Sequence, residues 1–192
     1  MNLDILLFDD FDLLDMAGPV KIFGLAAEQF HINYLSVTGD FVNSVQGTKI
    51  WTEPLDNTSG EGIVLIPGGK GARKVLLQDP ETRMRIKTCI RKSTACLTVA
   101  EGSGYLAQTG ELYQRNIAAY QQGENWKRMY TAAVHWIYDV PWMVDGKFYS
   151  ASASFAAIDA ALCIVADFYE VDKAMQIAHN LGIQWDMEAG YC

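Results

Sequence analysis

Three short stretches hold the residues best suited to chemistry: Asp12-Leu13-Leu14-Asp15, Pro67-Gly68-Gly69 and Ala100-Glu101-Gly102-Ser103. The third follows the apolar run Thr94–Val99 and leads into Tyr105, Leu106 and Ala107. This reads as a strand passing through a tight turn into a buried helix. Such a corner pushes one side chain out over the end of a sheet, and helix-terminal N–H groups lie beside it to receive negative charge. The residue at the tip is Ala100, whose methyl group can do no nucleophilic chemistry, so either the corner is structural or the reactive residue has been lost or removed. A cysteine there would suit covalent catalysis, because thiolate is the reactive form and a helix N-terminus lowers the thiol pKa. Backbone N–H groups near Gly69 and Glu101 would stabilise a developing anion, which makes Gly68, Gly69 and Gly102 candidate oxyanion or substrate contacts.

Two carboxyl groups complete the set. Asp15 is the candidate general acid/base, and it also reads as a cap on the first helix; the roles are compatible. Glu101 is unusual, since a carboxylate beside a thiolate raises the thiol pKa. It reads as a second acid/base, as a group that orients substrate or water, or as an exposed glutamate favoured by the helix dipole. Other constellations fall short. Asp9, Asp10, Asp12 and Asp15 lack the glycine and the terminal glutamate of a calcium loop, and His31, His135 and His179 have no ligand spacing. Gly68-Gly69-Lys70-Gly71 lacks phosphate-loop spacing and the Lys-Ser/Thr ending. No metal, nucleotide or other cofactor is expected. Tyr120, Trp126, Trp136 and Trp142 read either as walls of an apolar substrate cavity or as core and subunit interface, and His135 with Trp136 as pocket lining or ordinary surface.

The elements that must position these residues alternate. Leu3–Phe8 reads as a buried first strand and Asp9–Asp12 as a loop. Gly18-Pro19 precedes a helical pattern over Val20, Ile22, Phe23, Leu25 and Ala26, with the proline expected near its first turn. His31–Val37 reads as a second strand, Phe41–Thr52 as a hairpin or two short strands, Asp56–Glu61 as a loop, and Ile63–Ile66 as a buried strand stopped by Pro67-Gly68-Gly69. A helix over Pro80–Lys92 precedes the corner, and Gly110 ends the helix after it. Asn116–Ala133 gives no clear pattern. Asp145-Gly146 signals a hairpin between Val140–Val144 and Lys147–Ser150. Ser152–Tyr169 and Asp172–Ile183 read as the last helices. Strands that are apolar throughout, alternating with helices, imply a mostly parallel sheet covered on both faces. Sites in such sheets lie beyond the carboxyl ends of the strands, so the three stretches should converge there.

The chain has 192 residues, which suits one domain over 1–192. Its formal charge of −8 argues against a phosphate-backbone partner. Cys96 and Cys163 read as small core residues, and Cys192 as a mobile chain end. No apolar run approaches a bilayer span, Asp4, Asp9 and Asp10 interrupt any secretory leader, and a reducing cytoplasmic setting is expected.

Together the three stretches resemble the ThiJ/PfpI superfamily, also called the DJ-one superfamily. Asp12–Pro19 resembles its first acidic motif, Ile66–Gly69 its oxyanion-side turn, and Ala100–Ser103, followed by Leu106, Ala107 and Gly110, its nucleophile elbow. There the family usually has Cys-Thr-Gly-Ser. Ser152–Leu162 resembles the helix packed beside the elbow. The resemblance implies a flavodoxin-like α/β sandwich of the class I glutamine-amidotransferase type, commonly a homodimer, acting on a small molecule. The Asp-x-x-Gly-Pro form of the first motif, Asp15–Pro19, resembles isocyanide hydratases, which convert an isocyanide to an N-substituted formamide. It also resembles sensor domains of certain transcription regulators, but the chain has no room for their helix-turn-helix domain. Two departures stand out. Ala100 replaces the cysteine, and Ala118-Ala119-Tyr120-Gln121 stands where the family often has Thr-Thr-His-Trp. The missing histidine disfavours proteases and amidases. The resemblance thus implies a cysteine-dependent hydratase or hydrolase of a small carbon–nitrogen electrophile, inactive with Ala100. Alternatives are a glyoxalase or deglycase-like enzyme on small carbonyls and a pseudoenzyme that binds a small ligand. Ala100 fits a natural pseudoenzyme or a cysteine exchanged for alanine; retention of the rest of the elbow favours the second.

Overall fold

A computed structural model of the chain describes residues 1–26, 28, 30–58, 61–74, 79–121, 123–130 and 133–190. Part of the loop expected over Asp56–Glu61, Ser59 and Gly60, lies outside the described residues, as does Cys192.

The strands are β1 (Asn2–Leu6), β2 (His31–Ser36), β3 (Asp40–Asn43), β4 (Lys49–Pro54), β5 (Ile63–Ile66), β6 (Ala95–Val99), β7 (Arg115–Ala118), β8 (Val134–Ile137), β9 (Trp142–Asp145) and β10 (Phe148–Ala151). Eight form the main sheet, in the order β3-β4-β2-β1-β5-β6-β10-β9. The pairs β4–β2, β2–β1, β1–β5, β5–β6 and β6–β10 are parallel, and the hairpins β3–β4 and β9–β10 add antiparallel edges. Every residue of β5, β6 and β10 is buried, as expected of strands covered on both faces. The chain builds outward from β1 in one direction and then resumes at β5 on its other side. The carboxyl ends of β1 and β5 therefore flank a topological switch point, where open α/β sheets leave a crevice.

The helices are α1 (Leu13–Leu25), α2 (Pro80–Lys92), α3 (Glu101–Ala107), α4 (Glu124–Lys127), α5 (Ser154–Phe168) and α6 (Val171–Asn180). α1 packs on α5 and α5 on α6. The sequence placed the start of α1 at Gly18-Pro19. The helix instead begins at Leu13, with Pro19 inside it and Asp12 as its cap, accepting from the Leu14 and Asp15 amides. The missing Pro19 N–H, which would have bonded the Asp15 carbonyl one turn back, costs the helix that hydrogen bond. The unread stretch after residue 114 holds β7, α4 and a 3-10 turn. β7 pairs in parallel with β8 as a separate two-stranded sheet. At four residues each, these strands are too short for periodicity to reveal.

Cys96 and Cys163 are buried, and so is Cys89. Burial, with a smaller contribution from the Asp4 charge, pushes the Cys89 thiol up to about 11; burial drives Cys96 higher still. Neither is a reactive thiolate at neutral pH. Among the described residues, no helix is long and apolar enough to cross a membrane.

Candidate active site

The three chemistry-bearing stretches meet at the switch point. The loop after β1 and the turn after β5 pack backbone on backbone: Asp12 N–H donates to the Gly68 carbonyl at 2.8 Å, and Gly71 N–H to the Asp10 carbonyl at 3.3 Å. Gly69 has φ 126°, and a Cβ there would lie 2.4 Å from the Asp10 carbonyl oxygen, so only glycine fits. The elbow is held by the Ala100 N–H donating to the Ala151 carbonyl of β10 at 2.9 Å, and by Phe8 stacked on Tyr105 of α3 at 5.1 Å. Ala100 sits at φ 46°, ψ −120°, a strained conformation for a residue with a side chain.

Two carboxyl groups converge on this turn. Gly68 N–H donates to Asp15 Oδ2 at 3.1 Å, and Gly69 N–H to Glu101 Oε2 at 3.4 Å. A Cβ on Gly68 would meet Asp15 Oδ2 at 2.5 Å and Glu101 Oε2 at 2.9 Å. The two oxygens thus lie within about 5.4 Å of each other, close enough for the Glu101 charge to act on the Asp15 proton. Burial pushes the Asp15 carboxyl up to about 6. Hydrogen bonds from Ser154 and Gly68 oppose the rise, while the Asp12 and Glu101 charges add to it. The cap on α1 belongs to Asp12 and not to Asp15, so the second sequence reading of Asp15 does not hold. The anion-stabilising amides are also not idle: the protein's own carboxyl groups accept from Gly68 and Gly69.

These groups open on a cleft of about 370 Å³ whose walls include Asp15, Gly69, Ala100, Glu101, Tyr120 and Ser154. Of the residues singled out from sequence, Gly68 and Gly102 are not in its walls. Gly68 lies beneath the carboxyl pair. Gly102 is packed so that a Cβ would lie 2.4 Å from the Ile66 carbonyl oxygen, a close approach that holds α3 to the end of β5. Tyr120 is buried, with its ring edge-on to Trp136 at 5.9 Å and the Lys127 Nζ 4.8 Å from its centroid. Trp126, Trp136, Trp142 and His135 do not line the cleft. Trp126 and Trp142 are buried in the core and His135 is exposed.

Sequence reasoning missed Ser154, Ser152, Lys70 and Val45, all in the cleft wall. The pair of serines ahead of the apolar run of α5 marks a helix start, which is a signal for their position but not for Ser154 reaching Asp15. Asp9, Asp10 and Asp12 have other partners: Asp9 accepts from Asn43, Asp10 pairs with Lys74 at 2.9 Å, and Asp12 accepts from Gln46 as well as capping α1. A larger hollow of about 690 Å³ lies on the far side of the β1 loop, against Asp9, Asn43 and Lys74. The carboxylates in its wall all have partners already, Asp9 in Asn43, Asp10 in Lys74 and Asp79 as the cap of α2, so the chemistry points to the smaller cleft.

A doubly wound, mostly parallel sheet with a strained strand-to-helix corner at its switch point defines a flavodoxin-like α/β protein with a cleft beyond the carboxyl ends of its strands. The chain belongs to the DJ-1/PfpI family, whose model matches residues 2–167. Among solved structures it is similar to a ThiJ/PfpI family protein from Pseudomonas syringae, at 19% identity over 96% of this chain and 76% of that one, with a TM-score of 0.85. It is similar to Drosophila melanogaster DJ-1beta at 14% identity over 96% and 98%, TM-score 0.81. It is also similar to an AraC family transcriptional regulator from Pseudomonas putida at 18% identity over 94% and 98%, TM-score 0.77. At these identities the likeness is one of fold. No curated protein matches the sequence.

Proposed function

We propose that the chain carries the site of a hydratase or hydrolase for a small carbon–nitrogen electrophile, isocyanide hydratase-like, with Ala100 at the position of the covalent nucleophile. The observation that carries this reading is the strained corner residue in the wall of the same cleft as a buried Asp15 carboxyl. A thiol at position 100 would attack the electrophilic isocyanide carbon. Asp15, whose proton is held up to about 6, would protonate that carbon, and water would release the formamide. With alanine, this covalent route is closed. The family spans proteins of several activities, and a solved neighbour of this fold is described as a transcriptional regulator, so the site and not the fold supports the assignment.

The test is gain of function. Ala100→Cys should turn an alkyl isocyanide into its formamide, measured beside methylglyoxal as the competing substrate. Lactate in place of formamide would move the assignment to a glyoxalase. Turnover of neither, with a metabolite bound by the alanine form, would favour a non-catalytic ligand-binding protein.

A further inference from the structure

The Gly68–Gly69 turn holds two carboxyl groups where a thiol–carboxyl site would need one. Glu101 directly follows the corner residue, and its Oε2 accepts from Gly69 N–H at 3.4 Å beside Asp15 Oδ2 on Gly68 N–H at 3.1 Å. A pair fixed this way by adjacent amides has a defined division of labour when it carries one proton: one member is an acid and the other a base. Ala100 lines the same cleft, so a reacting carbon or a water can lie over its methyl group.

We propose that Asp15 and Glu101 act as an acid/base dyad that adds water directly to a small carbon–nitrogen electrophile, without a covalent intermediate, in the chain as it stands with Ala100. This rests on the substrate class proposed above. For an isocyanide R–N≡C the steps balance as follows. The Asp15 carboxyl gives its proton to the terminal carbon, forming a nitrilium cation that is stabilised by the two carboxylates. A water oxygen bonds to that carbon while Glu101 takes one water proton, giving R–N=CH–OH. Glu101 then protonates the nitrogen as Asp15 takes the hydroxyl proton, and R–NH–CHO leaves. One water is consumed, both carboxyl groups return to their starting states, and no oxidant or reductant is needed. Burial holds the proton on Asp15, and the Asp12 and Glu101 charges add to that hold. The other charged groups in the cleft wall are Asp12 at the start of α1 and Lys70 on the turn after β5, and the remaining polar side chains are Tyr120 and Gln121 after β7 and Ser152 and Ser154 at the start of α5.

The experiment follows formamide by NMR with an alkyl isocyanide as probe, using the Ala100 chain, Asp15→Asn, Glu101→Gln and Ala100→Cys. The Ala100 chain should exceed the buffer blank, with a rate that falls as pH rises through about 6. Asp15→Asn and Glu101→Gln should each lower that rate about 10²-fold or to the blank while near-UV circular dichroism stays unchanged. In Glu101→Gln the Asp15 carboxyl, followed by carbon NMR, should also titrate at lower pH, a coupling that a merely structural glutamate would not produce. A silent Ala100 chain beside an active Ala100→Cys chain would overturn the dyad and leave the substrate reading standing. Silence in both would overturn the substrate reading itself. Undiminished turnover in either carboxyl variant would also overturn the dyad.

Discussion

Asp15 is 3% exposed, yet it must be ionised at neutral pH in a place that favours its neutral form. Its folded value of about 6 lies above the ordinary 3.8, so the folded state holds the proton more tightly than the unfolded chain. That stabilisation is complete below the unfolded value and is lost as pH rises through the folded one. At pH 8 the site therefore costs the fold up to about 3 kcal/mol, from ~1.36 kcal/mol for each pH unit between the unfolded and folded values. Asp15→Asn should raise the melting temperature at pH 8 and have little effect at pH 4. The check is a pair of thermal melts at the two pH values, and an equal gain at both would mean that the burial of charge is not the cause. A group that destabilises the protein at neutral pH marks a functional position more convincingly than its place in a motif does.

At the scale of elements, the corner is where local preference and tertiary demand conflict. Ala100 holds φ 46° because β6 must turn sharply into α3 while Ala151 of β10 pins its amide. Residues so placed store about 1–3 kcal/mol, and glycine adopts the conformation freely at an unfolded-state cost of about 0.5–1 kcal/mol. Ala100→Gly should therefore stabilise the chain by about 1 kcal/mol, measured as a shift in the urea midpoint with an unchanged slope. A loss of stability would show the corner to be unstrained. The elbow was legible from the order Thr94–Val99, glycine, apolar helix, and the convergence of the three loops followed from strand alternation alone. The hairpin at Asp145-Gly146 was equally plain, because Gly146 supplies the φ of 61° that the turn requires. The start of α1 was not, since Pro19 imitates a first-turn proline while the true cap, Asp12, lies seven residues earlier. Nor was the occupation of the Gly68 and Gly69 amides, which depends on side-chain rotamers of Asp15 and Glu101 that no one-dimensional pattern encodes.

On the scale of the whole molecule, α1 and α5 form both one wall of the cleft and an outer surface. Asp15 and Ser154 face inward from these helices, while Leu14 and Phe155, their neighbours in sequence, are 41% and 76% exposed. Covering the Phe155 ring with a partner surface would remove apolar area from water. The family resemblance implies a homodimer, and we propose that Leu14 of α1 and Phe155 of α5, each next to a cleft-lining residue, lie in its interface. Light scattering at micromolar concentration should then give twice the 21.3 kDa chain mass, and Phe155→Glu should shift it toward the monomer. Because α1 presents Asp15 from the same helix that would be clamped, the monomeric variant should also melt at lower temperature and bind probes in the cleft more weakly. A wild-type chain that stays monomeric would remove the interface from the account. The carboxyl pair and its chemistry would be unaffected, since the Gly68 and Gly69 amides and Ser154 that position it belong to the same chain as the pair.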